Sequence, residues 1–286
     1  MLHKLHEKIN VSGLLTNAEA WTLLKGERKD LDQIELSTIK NLFDLPVNTP
    51  NPGIIYTLGL LYANIRVDQR QFMYLHKVLN RDASHWTRKS LQTLTDLNIG
   101  WYKNLNCILE EYQLTKDFEQ IRKMTRPHWK HLVREAIEKK NTEKLIEECY
   151  KTTDGEKKEK RKTAHIIEKI TAKTYKRQPL PEIMMFSKIE TKTLITARFG
   201  MLECGHNYKG TLSSECVICK CLDDEEHRMN HCKKLAEVNY HDQAGKVNFD
   251  TIYTNDVDTL KIIVERISHV WNVETAHGTN YLLNEM

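Results

Sequence analysis

Through most of the first 150 positions apolar residues recur at intervals of three and four, the spacing that gathers one face of an α-helix. Between Glu19 and Leu45, the residues Leu24, Leu31, Ile34, Ile39, Leu42 and Phe43 follow this spacing, and Pro46 closes the run. Phe72, Leu75, His76 and Leu79 form a second stripe. Trp101, Leu105, Ile108, Leu109 and Tyr112 form a third, and Trp129, Leu132, Val133, Ala136 and Ile137 a fourth. Turn-forming residues separate them: Asn80-Arg81-Asp82, Asn98-Ile99-Gly100 and Thr125-Arg126-Pro127. The apolar stretch from Ile54 to Ile65 reads as a buried helix or a connector. Further on, Lys188 to Leu202 carries Ile189, Leu194, Ile195 and Phe199 at helical spacing. The last stripe, in Asp256 to Val273, joins Leu260, Ile263, Val264, Ile267, Val270 and Trp271, with Asp256 and Asp258 in its first turn, where the helix dipole favours negative charge.

These patterns predict a mainly α fold in three parts. Residues 1–150 form a multi-helix region, 151–181 a basic linker with room for a short helix at Ile166, Ile167 and Ile170, and 182–286 a small lobe with a terminal helix. Only 11 Gly and 6 Pro in 286 residues argue against an all-β chain with many tight turns. No period of 20–50 residues repeats, so a solenoid is not expected. No apolar run is long enough to span a membrane, and no secretory signal is read in Met1 to Asn10, so a nuclear or cytoplasmic location is the expectation.

Charge changes the picture only where it is concentrated. The whole chain carries a net +4, but residues 151–177 hold ten Lys or Arg against four Asp or Glu, a local +6 that leaves the remainder at −2. Such a field attracts polyanions. Lys157, Lys158, Lys160, Arg161, Lys162, Lys173, Lys176 and Arg177 in this stretch, with Arg198 and Lys209 beyond it, are the expected contacts to RNA or single-stranded DNA. The run Lys157 to Lys162 also fits a nuclear-import patch or a solvated charge run.

Five of the seven cysteines lie between Cys204 and Cys232. An odd count beside histidines is a poor disulfide framework and points to metal. Cys216, Cys219, His227 and Cys232 give the spacing C-x2-C-x7-H-x4-C, four donors for one tetrahedral zinc ion. Four protein ligands leave no open position, so the ion is expected to be structural. Cys221 can replace Cys219, and His231 can replace His227 or Cys232; Cys204 and His206, with Cys221 and His231, are the candidates for a second metal. The loop Asp223 to Glu226 is acidic and is not expected to meet phosphate. The five tryptophans, with Cys107 and Cys149, read as core packing, and His76, His85, His128 and His131 as core or surface residues. No nucleotide-binding loop, nucleophile elbow or metalloprotease motif is present, so no catalytic residue, no enzyme activity and no small-molecule substrate is expected.

With these residues in view, the chain resembles the C-terminal portion of a reverse transcriptase encoded by a LINE-type (non-LTR) retrotransposon. The likeness runs over roughly residues 14 to 275. It is carried by Asn17-Ala-Glu-Ala-Trp21-Thr with the later Leu45-Pro46-Val-Asn-Thr-Pro50, by Trp101-Tyr102-Lys103-Asn104, and by the helix through Arg198 leading into the CCHC motif. The resemblance implies a thumb-like helical region followed by a zinc knuckle. The paired aspartates of a polymerase palm are missing, since Tyr253-Thr-Asn-Asp256 lacks the first acid. A palm would precede residue 1, and the expectation is a non-catalytic fragment that handles nucleic acid, beside a separate polymerase or another protein. The alternative is a helical protein-interaction scaffold with a purely structural zinc site.

Overall fold

In the computed structural model the described residues are 12–151, 164–171, 186–199, 201, 215–216, 218–224, 226–233, 252, 258–265 and 267. They are mainly helical. After single turns at Ser12–Leu14 and Ala18–Ala20 come α1 (Lys25–Leu42), α2 (Asn51–Leu58), α3 (Ala63–Leu79), α4 (Trp86–Leu97), α5 (Gly100–Glu111) and α6 (Phe118–Lys123). The long α7 (Arg126–Lys151), α8 (Ala164–Thr171), α9 (Lys188–Arg198) and α10 (258–265) follow. No described helix is long and apolar enough to cross a membrane.

Three of the predicted stripes become α3, α5 and α7. The first starts later than its pattern suggests, at Lys25 rather than Glu19. Leu24 is extended, and its N–H donates to the Glu27 carboxylate at 2.7 Å, which supplies the missing first-turn acceptor. Upstream, the Trp21 carbonyl accepts from the buried Gln71 side chain, which holds the strand-like entry against α3. Leu24 and Ile34, counted in the stripe, face solvent.

Ile54 to Ile65 is both helix and connector. Pro52 seeds the first turn of α2, and Gly59 at φ 60° ends it in the left-handed region. Leu60, Leu61 and Tyr62 then run through the core without regular structure. Buried backbone away from a helix needs partners. Asn141 of α7 provides them: its Oδ1 accepts from Tyr62 N at 3.1 Å and its Nδ2 donates to Leu60 O at 3.5 Å.

The centre of the body is α3, which packs on α1, α4, α5, α6 and α7. Trp129 is fully buried, and its indole N–H donates to Phe72 O at 3.0 Å. Three buried carboxylates are paired: Glu35 with Arg66 at 2.7 Å, Asp32 with Lys144, and Asp68 with Arg28; Asp68 also accepts from the Tyr112 hydroxyl at 2.8 Å. Burial raises the Asp68 carboxyl above its ordinary range despite Arg28.

One continuous core crosses the boundaries read from composition. Ile166 of α8, Phe186, Leu194, Ile195, Phe199, Ile252 and the α10 residues Leu260, Ile263 and Val264 join the cluster built on α1–α7. A close approach joins the two parts at Gly53 of α2. A Cβ there would lie 2.4 Å from the Phe199 ring, so only glycine lets the ring seat. Ile267 is buried as expected, while Val270 and Trp271 lie outside the described residues.

Candidate metal centre

The cysteine loop is built from short-range hydrogen bonds rather than from a large apolar core. Glu215 and Leu222 form an antiparallel bridge. Inside it Cys216 N donates to Cys221 O and Lys220 N to Cys216 O, both at 2.8 Å. Lys220 takes φ 58°, and this left-handed residue reverses the chain. A turn this tight is how a C-x2-C pair brings two sulfurs together.

The second pair comes from a π-helical turn, His227–His231. Asp224 starts it by accepting from His227 N at 2.7 Å through Oδ1. Cys232 N donates to His227 O at 2.8 Å and closes it. On an α-helix, residues five apart stand roughly 140° apart around the axis. The wider π turn brings His227 and Cys232 closer to one side.

The ligand atoms of Cys216, Cys219, His227 and Cys232 all lie within 4.8 Å of one another. Cys216, His227 and Cys232 are buried and Cys219 is half-buried. Cys219 Sγ and Cys232 Sγ are 3.9 Å apart. A tetrahedral zinc with bonds of about 2.3 Å to sulfur has an S···S edge of about 3.8 Å, whereas a disulfide would need about 2.0 Å. The spacing suits a shared metal ion and not a disulfide. Lys233 N also donates to Cys219 Sγ at 3.2 Å, an interaction that favours the thiolate. The group can hold a metal ion, and it comprises the four residues read from the spacing.

Of the alternative ligands, His231 is exposed and turned to Glu226 Oε1 at 3.6 Å. Cys221 is exposed, yet its Sγ lies 3.2 Å from His227 Nδ1 and 3.7 Å from Nε2. Cys204 and His206 lie outside the described residues, as do Lys157, Lys158, Lys160, Arg161, Lys162, Lys173, Lys176, Arg177 and Lys209.

Arg198 needs correction as a polyanion contact. It is only 3% exposed, and its Nε donates to Ile252 O at 3.0 Å. Its guanidinium ties α9 to the segment before α10 instead of facing solvent. Two packing expectations also change, because Cys107 is exposed and Trp86 is 70% exposed against a stacked His85. Cys149 and His76 are buried, whereas His128 and His131 lie on the surface.

Sequence reasoning missed Asp224, the Lys233 amide and the contact of Cys221 with His227. Asp224 did leave a signal: an acid three residues before a turn is a capping pattern, whereas the acidic run had suggested only repulsion of phosphate. No family model, no curated protein and no solved structure matches the chain.

Proposed function

We propose that the chain is a non-catalytic nucleic-acid-binding fragment of a non-LTR retrotransposon reverse transcriptase, with one structural zinc in the Cys216–Cys219–His227–Cys232 centre. The observation that carries the reading is the pairing of this cluster of three cysteines and one histidine with the +6 charge of residues 151–177 upstream. Three soft thiolates and one imidazole suit zinc, and four protein ligands suit a structural ion. Zinc bound there would fix the loop, while the basic stretch meets phosphate. The helical body offers two further cations: a groove of about 910 Å³ between α3 and the start of α7 is lined by Lys77 and Arg126, together with the acidic Glu19 and with Arg70, whose guanidinium donates to the Leu15 carbonyl.

The test is a titration of single-stranded RNA at several salt concentrations. If five basic side chains meet phosphate, the log–log salt slope is roughly −3.5. Replacing Lys157, Lys158, Lys160, Arg161 and Lys162 by Ala should flatten it; an unchanged slope removes the stretch from the interface. A second reading, a protein-interaction scaffold, is favoured by the exposed Trp86, Leu97 and Ile99 on and beside α4. Absence of any salt-dependent RNA binding, with a partner captured through Trp86, would move the conclusion there.

A further inference from the structure

One more sulfur, that of Cys221, lies beside the four-donor group, 3.2 Å from His227 Nδ1. We propose that Cys221 is a reserve ligand: when His227 is withdrawn, the Cys221 thiolate takes its place, and the ion passes from three thiolates and an imidazole to four thiolates. The inference rests on the metal reading above and extends it to a residue outside the four-donor group.

Three observations support it. Cys221 Sγ is within 3.7 Å of both ring nitrogens of His227. A tetrahedral ion with nitrogen and sulfur donors has an N···S edge of about 3.6 Å. Whichever nitrogen binds, the thiol therefore lies about one coordination edge from that donor. Second, the backbone at Cys221 is already fixed to the centre, because its carbonyl accepts from the ligand residue Cys216 at 2.8 Å. The exchange needs side-chain rotation rather than a refolded loop. Third, the Cys221 side chain is exposed, so it has room to turn and its proton leaves to solvent.

The exchange balances. One metal–nitrogen bond breaks, one metal–sulfur bond forms, the thiol releases one proton, and no electrons move. The centre gains one negative charge. Softer ions should favour this arrangement, since thiolate selects thiophilic metals.

Cobalt(II) bound to the full chain gives the readout, because its thiolate charge-transfer band grows with each sulfur. The wild type and Cys221→Ser should show a three-thiolate band. His227→Ala should keep the tetrahedral bands with charge-transfer intensity raised by about a third, and the double variant H227A/C221S should lose them. His227→Gln, closer in volume, serves if H227A does not fold. Cadmium supplies a test without touching His227: its thiolate band in the wild type should fall by about a quarter in C221S. The proposal fails if Cys221→Ser leaves the cobalt bands of His227→Ala unchanged, or leaves the cadmium band of the wild type unchanged. Absence of cobalt uptake by the wild type would instead remove the metal centre itself, and the reserve ligand with it.

Discussion

The helical body and the cysteine loop are ordered by different forces. In the body, Trp129, Phe72, Ile54 and Leu75 are almost wholly removed from water, and α3 is surrounded by other helices. Its order comes from apolar burial spread over many side chains. In the loop, among the described residues, the apolar cluster consists of Cys216 and Cys232 with Ile218 and Cys219 packed beside them. So small a cluster cannot offset the entropy of ordering the chain. The difference teaches where each region is vulnerable: the body to a lost side chain and, on the metal reading proposed above, the loop to a lost ion.

The largest expected effect separates the two regions outright. Metal binding to zinc-finger peptides contributes on the order of 10–16 kcal/mol. Chelation, or Cys216→Ser, should abolish amide-exchange protection across residues 215–233 and leave that of α3 intact. Loss of protection in both regions together would show that the loop is not a separate unit of stability. Next in size is Trp129→Ala, which should cost about 3–5 kcal/mol in denaturant unfolding. It should leave metal stoichiometry unchanged.

A smaller change probes the buried connector. Asn141→Leu removes both hydrogen bonds to the Leu60–Tyr62 backbone at similar volume. It should cost about 1–3 kcal/mol, the penalty for stranding a buried amide. A neutral result would mean that Tyr62 N finds another partner.

The smallest effect is a slope. Burial holds the Asp68 carboxyl above its ordinary range. At acid pH it is protonated in both states and adds nothing to the pH dependence. As pH rises from the ordinary carboxylate value toward the raised folded value, the unfolded chain gives up its proton first, so this stabilising contribution is lost with rising pH. The wild type should therefore lose stability relative to Asp68→Asn as pH rises across that window. Denaturation of both proteins at matched pH values checks the sign, and the opposite trend would mean that Arg28 outweighs the burial.

Much of the body was legible because helical stripes are local. Leu105, Ile108 and Leu109 are buried as their spacing requires, and so are Trp129, Val133 and Ile137. The four donor residues were legible for the same reason, since they span only 17 positions. What could not be read depends on distant neighbours. Arg198 looked like a phosphate contact because a sequence shows its charge but not the Ile252 carbonyl that receives it. Asn141 drew no reading from the sequence, and only the connector beneath it explains the amide. Trp86 carried the expectation of burial that its size suggests, yet α4 turns it outward.

The seat of Phe199 on Gly53 has a consequence for the integrity of the chain. A residue from the second half fills a notch that α2 leaves open in the first half. Neighbouring α9 and α10 side chains share the same interior. Severing the peptide between Lys151 and Ala164 would thus yield two pieces with matching apolar faces. They should remain together as a noncovalent complex and co-elute on a sizing column, parting only when denaturant releases the ring.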